Sequence, residues 1–137
     1  TIHYIINSAG SNANFLLNVG PMPDGTIQPE FTDTLKAVGN WLAKNGETIY
    51  GTRGNIIPQK DWGTITQKGK TNYLHLMHST ENPAYIFIPE LKQKIVKAIL
   101  FDGKTEVKYK QLPEGTFIYL EGIALNDTDT IIQLDMK

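Results

Sequence analysis

The sequence predicts a mainly β protein, an antiparallel β-sandwich preceded by one strand-helix unit. Three observations predict it. Beyond residue 55 only short β-like runs occur, about seven of them at roughly ten-residue spacing, the rhythm of a sandwich. Turn residues stand between successive runs. Ahead of residue 55, an apolar run closed by Gly20-Pro21 gives way to a stripe of helical period.

That apolar run is Asn14-Phe15-Leu16-Leu17-Asn18-Val19. Continuous apolar character fits a strand buried on both faces. Proline has no N–H to give a ladder, and Asp24-Gly25 is a turn dipeptide, so the strand stops there. Pro29 suits a first helical turn and Glu30 the positive end of the helix dipole. Phe31, Leu35, Val38 and Leu42 then form the buried stripe, with Trp41 beside it. Trp41 and Leu42 are expected to bury against the sandwich or the preceding strand. Asn45-Gly46 is expected to end the helix as a left-handed cap, before an extended exit at Ile49-Tyr50.

The strands that follow are expected at Thr64 to Gln67, Asn72 to Met77, Ala84 to Ile88, Ile95 to Phe101, Glu106 to Tyr109, Thr116 to Glu121 and Thr130 to Met136. Lys68-Gly69, Glu81-Asn82-Pro83, Asp102-Gly103, Pro113-Glu114-Gly115 and Asn126-Asp127 supply the turns. Alternation assigns faces. Leu74 and Leu76 oppose Tyr73, His75 and Met77; Ile118 and Leu120 oppose Phe117 and Tyr119; Ile132, Leu134 and Met136 oppose Gln133 and Asp135. Val96, Ala98 and Leu100 form a further inward set.

Three segments carry a resemblance to a known family. Asn14 to Gly25, the helix core Val38-Gly39-Asn40-Trp41-Leu42, and Asn45-Gly46-Glu47-Thr48-Ile49-Tyr50-Gly51-Thr52 resemble the end of the catalytic domain of α-L-fucosidases of glycoside hydrolase family 29. Trp62-Gly63, Thr66, Lys68-Gly69 and Tyr73-Leu74-His75-Leu76 continue the likeness into that family's C-terminal β domain. Ala13 and Phe15 depart from it, standing where the family more often has glycine and leucine. The resemblance implies that residues 1–55 are a remnant of the catalytic (β/α) barrel, its last strand and helix, and that residues 56–137 are the C-terminal β-sandwich domain. It implies an intact enzyme that removes terminal α-linked L-fucose from an oligosaccharide or glycoprotein by double displacement, with no metal or organic cofactor. It also implies a protein secreted or periplasmic in a bacterium.

Composition narrows the function classes. Twelve lysines and one arginine against fourteen carboxylates leave a net charge of −1, so no global field would draw nucleic acid or an anionic membrane. Cysteine is absent, which removes disulfides and thiolate sites. No run of about 18 apolar residues occurs, so no spanning helix is expected. The chain opens on Thr1, so a natural N-terminus, with any signal peptide, is expected upstream.

Retaining glycosidases need two carboxyls about 5 Å apart. The resemblance puts both upstream, so no residue of this chain is expected to be catalytic and none to bind a cofactor or metal. Asp24 is the carboxylate nearest the C-terminal end of the expected strand, but Asp-Gly turn chemistry explains it. Asn18 could hydrogen-bond a sugar hydroxyl or satisfy buried backbone groups. His75 and His78 fall on opposite sides of a strand and His3 is remote, a poor metal set. Lys92, Lys94, Lys97, Lys104, Lys108 and Lys110, with Phe101 and Tyr109 nearby, could be a glycan or single-strand surface, or simply lysines guarding exposed strand edges. Trp62, Tyr73 and Tyr85 could stack on sugar or sit in the core. Two alternatives to a purely structural role therefore stand: part of a fucosidase, or a carbohydrate-binding module for fucosylated glycans. Residues 1–27 are expected to be held by a neighbouring copy or by refolding onto the sandwich, since a bare apolar strand is not tolerated in water.

Overall fold

The computed structural model describes residues 1–77 and 83–137 and contains two helices and seven strands among them. The helices are α1 (Ile2–Gly10) and α2 (Pro29–Asn45); a 3-10 turn, Gly46–Thr48, follows α2. The strands are β1 (Gly63–Lys68), β2 (Thr71–Leu76), β3 (Tyr85–Ile88), β4 (Ile95–Leu100), β5 (Tyr109–Leu112), β6 (Gly115–Tyr119) and β7 (Thr130–Met136). They form a four-stranded sheet of order β1-β2-β7-β4 and a three-stranded sheet of order β3-β6-β5, antiparallel throughout. This is the antiparallel sandwich. The expected turn at Glu81-Asn82-Pro83 lies partly, and His78 wholly, outside the described residues.

The core lies between the sheets. Ile65, Leu74, Ile132 and Leu134 of the larger sheet and Ile88 and Ile118 of the smaller one are wholly inaccessible. Period-2 alternation explains that set. It does not explain why the other face of the larger sheet is also dry: Thr64, Thr66, Tyr73, His75, Met77, Ile99 and Ile131 are all buried as well. A third layer accounts for it. The α1 helix and the 3-10 turn pack on β1 from outside, so this sheet is covered on both faces while the smaller one is covered on one.

The α1 helix was not expected from the sequence. Ile2, Ile5, Ile6 and Ala9 recur at helical spacing, and Ile6 is fully buried. Its end is clasped to the chain entering β1. The Gly54 N–H donates to Asn12 Oδ1 at 2.7 Å, Asn12 Nδ2 donates back to the Gly54 carbonyl at 3.2 Å, and the Asn55 N–H donates to the Gly10 carbonyl at 2.7 Å. Glycine is needed at 54 because a Cβ there would overlap the backbone of Ala9 and Gly10. Asn12 holds its clasp with φ of 54°, a left-handed geometry that asparagine tolerates better than most residues.

Several expectations need correction. Asn14 to Val19 forms no strand: a strand exists only with ladder partners, and none of the described residues provides one. Leu16 is 89% exposed, so this segment has not refolded onto the sandwich either. Gly46 is right-handed helical, with φ of −59°, and the helix runs on into the 3-10 turn. Its glycine answers a close approach instead, since a Cβ would lie 2.6 Å from the Tyr50 ring. Along α2 only Val38 of the stripe is buried; Trp41 and Leu42 are half-buried, and Phe31 and Leu35 are exposed. In β4 a bulge between Ile95 and Lys97 turns Val96 outward, 56% exposed, and gives its inward place to Ile95. The strand expected at Glu106 to Tyr109 begins at Tyr109, because the residues before it pair with β4: Glu106 bridges Ile99 and the Val107 N–H donates to the Ala98 carbonyl. The chain thus crosses there from one sheet to the other.

Candidate functional site

Asp24 is a turn residue. It accepts hydrogen bonds from the Thr26 hydroxyl at 2.6 Å and the Thr26 N–H at 3.0 Å, which hold its carboxyl below the usual range, and Gly25 follows with φ of +86°. Asn18 is exposed. Trp62 is half-buried against the core, and Tyr73 is buried, edge-on to Phe101 at 6.0 Å, with burial raising its phenol pKa. The Tyr73 ring is therefore not free to stack on a sugar. Tyr85 differs, being 52% exposed. Trp41 lines a cavity of about 450 Å³ between α2 and the loops of the larger sheet, with Phe101 and the exposed Lys44–Asp102 ion pair among its other walls.

The histidines answer to protein partners. His3 Nε2 lies 2.6 Å from the Thr128 carbonyl. His75, wholly buried, sits between Asp129 Oδ2, 2.8 Å from Nδ1, and Thr66 Oγ1, 2.9 Å from Nε2. Hydroxyl, imidazole and carboxylate in line have the composition of a nucleophilic triad, but the protons run the wrong way. Thr66 gives its single hydroxyl proton to the Thr48 carbonyl at 2.6 Å. It must therefore accept from His75, so Nε2 carries a hydrogen and cannot act as the base. One further proton lies between Nδ1 and Asp129. What results is a buried relay from the 3-10 turn through β1 and β2 to the residue before β7, fastening the helical layer to the sheet.

Asp129 is the group under stress in this relay. Burial raises its pKa above the ordinary carboxylate value, against the lowering effects of the His75 hydrogen bond, the His75 charge and the His3 charge, and its Oδ1 has no partner among the described residues. A carboxyl raised on folding gives stability that is complete below the unfolded value near 3.8 and is lost as pH rises through the folded one. Asp129→Asn removes that titration yet can keep the relay, with its amide donating to a neutral Nδ1. The expected result is a flatter stability profile above pH 4 than in the parent chain, measured by urea unfolding at a series of pH values. Parallel profiles would show that Asp129 does not carry the dependence.

The smaller sheet's outer face is the other notable surface. Tyr85 pairs with Tyr119 and Phe87 with Phe117 across β3 and β6, so four rings share it. Ring centroids are 4.6 Å apart for Phe87–Phe117, 5.6 Å for Tyr85–Phe117 and 6.5 Å for Phe117–Tyr119. Sequence reasoning singled out Tyr85 alone. The alternation opposing Phe117 and Tyr119 to Ile118 already held the signal for two of the others.

Comparison with known proteins agrees with the segments that carry the resemblance. A family model described as alpha-L-fucosidase matches residues 1–47. Tissue alpha-L-fucosidase of Bos taurus is 32% identical over 115 residues, covering 83% of this chain and 25% of that protein. The Rattus norvegicus protein of the same description is 39% identical over 123 residues, covering 87% and 27%. Among solved structures, alpha-L-fucosidase isoenzyme 1 from Paenibacillus thiaminolyticus superposes on 99% of this chain and 34% of its own length, at TM-score 0.85 and 29% identity. The chain spans about a quarter of the length of these curated relatives.

Proposed function

From the premise that the chain is kin to the α-L-fucosidases of glycoside hydrolase family 29, we propose that it forms the C-terminal portion of a retaining enzyme that releases terminal α-linked L-fucose from glycoconjugates. The observation that carries this reading is the joint likeness of both parts of the chain to one solved bacterial fucosidase, over 99% of its residues. In this reading residues 1–55 complete a catalytic barrel and residues 56–137 are the sandwich that braces it. The nucleophile and the acid/base belong to the remaining part of the enzyme. Substrate is a fucosylated oligosaccharide or glycoprotein, met in the periplasm or outside a bacterial cell.

The contacts support a bracing role. The Thr48 to Asp129 relay and the paired backbone hydrogen bonds between Arg53 and Gln67 both fasten the first 55 residues to the sandwich. A barrel extended by this chain would be fastened to the sandwich just beyond its last helix. The test joins the chain to the upstream sequence of its own gene and measures hydrolysis of an aryl α-L-fucoside. The joined protein is expected to turn over the substrate, and the 137-residue chain alone to show none. Turnover by the chain alone, or a joined protein that folds and cleaves only other glycosides, would overturn the reading.

A further inference from the structure

The layers of the molecule leave one aromatic face without a cover. Helix α1 and the 3-10 turn lie on the outer face of the four-stranded sheet, so the outer face of β3-β6-β5 is on the opposite side of the sandwich. A barrel completed through residues 1–55 approaches from the helical side and leaves this face in solvent; that clause rests on the reading of function given above. The face is ordered in two rows. One runs Tyr85, Tyr119, Lys108 and the other Phe87, Phe117, Lys110, with Lys110 registered opposite Phe117 and the Tyr119 N–H bonded to the Lys108 carbonyl.

The rings brace one another in a contiguous row, so the platform is formed before any ligand arrives. Gly115 makes room for part of it, since a Cβ there would lie 3.0 Å from the Phe87 ring. Both lysines are exposed, and neither is in an ion pair among the described residues. The carboxylates of Glu114 and Glu121 lie at the two ends of β6, in the hairpin turn and beyond Tyr119, and the lysines lie along the β5 edge between them. Flat rings flanked by unpaired ammonium groups fit sugar rings that carry negative charge: the C–H face of a pyranose stacks on the aromatic, and its carboxylate meets a lysine. Single-stranded nucleic acid has related chemistry, but it brings a phosphate with every base, and two lysines on a chain of net charge −1 do not match that density.

We propose that the outer face of β3-β6-β5 is a binding platform for an anionic glycan rich in uronic acid. In the joined enzyme it would hold the protein on an acidic polysaccharide while the barrel works on fucose.

The experiment is affinity electrophoresis of the 137-residue chain and of the joined enzyme in gels containing polygalacturonate, with a neutral β-glucan and an oligo-dT strand as comparisons. Retardation by polygalacturonate is expected, weakening with added salt and falling roughly tenfold in Tyr85→Ala and in Lys108→Gln/Lys110→Gln. Tyr85 is exposed enough for its alanine variant to fold, and an unchanged circular dichroism spectrum checks this. Absence of retardation, equal retardation by the neutral glucan, tighter binding of oligo-dT, or unchanged binding in both folded variants would each overturn the proposal. The fucosidase reading is judged separately, on aryl fucoside turnover, so either can fail while the other stands.

Discussion

Replacing His75 by leucine is expected to destabilise the chain by about 3–5 kcal/mol, a large fraction of the ~5–15 kcal/mol that holds most domains folded. Volume is nearly kept, so packing alone would forecast little. Loss of the imidazole, however, strands the Asp129 carboxyl inside the protein with both oxygens unmatched and deprives Thr66 Oγ1 of the donor at 2.9 Å. An isolated buried carboxylate answers by staying protonated, so the loss should be smaller near pH 4 than at pH 7. His75→Leu/Asp129→Leu provides the control: with both polar partners gone, much of the stability should return. Urea midpoints at the two pH values measure all of this. A single variant as stable as the parent at pH 7 would show that the relay contributes nothing to the fold.

The second large effect concerns association. Leu16, Phe15, Leu17, Met22, Ile27 and Phe31 are all at least one-third exposed, and residues 14 to 27 lack regular structure. Residues 1–12 are held by the chain's own sandwich and the segment entering it through α1, so the expectation of a neighbouring copy narrows to the segment beyond Asn12. Each large apolar side chain buried is worth about 1.5–3 kcal/mol, against roughly 4–15 kcal/mol for joining two molecules. The balance predicts reversible self-association of the 137-residue chain in roughly the micromolar to millimolar range. Sedimentation velocity across that range should show a mass rising with concentration, and Leu16→Lys/Leu17→Lys should abolish the rise. A parent chain that stays monomeric throughout would refute it.

Local pattern carried most of the sandwich. Leu74/Leu76 and Ile132/Leu134/Met136 alternate cleanly because one side of each strand meets the core, and period 2 records that directly. Val96 misled because a bulge adds one residue without altering composition, so the pattern stays apolar while the register slips. Phe15, Leu16 and Leu17 misled for a different reason: their sequence describes a strand between neighbours, and neighbours are a property of the surrounding chain. The relay was hidden because Thr66 and His75 look like a solvent face. Only the helical layer, itself distant in sequence, makes them interior; the want of lysine or glutamate among Thr64, Thr66, Tyr73 and His75 was the available clue. Tyr85 was visible as a candidate, while its grouping with Phe87, Phe117 and Tyr119 needed the β3–β6 pairing to be known.

The position of β7 between β2 and β4 sets a timetable for the ribosome. Both neighbours are made before it, and β2 finds its second partner only when Thr130 to Met136 emerges. At ~5–20 residues per second, the stretch from Leu76 to Thr130 takes roughly 3–10 s to synthesise. For that interval the β1–β2 hairpin waits with an open edge and Leu74 facing water, a state that invites pairing with other nascent chains. Two residues connect β5 to β6, but eight connect β4 to β5 and ten connect β6 to β7, and these connections are part of the wait. Lengthening any of them by insertion would extend the exposure even where the finished protein tolerates the extra residues, so yield from cells would suffer before stability did.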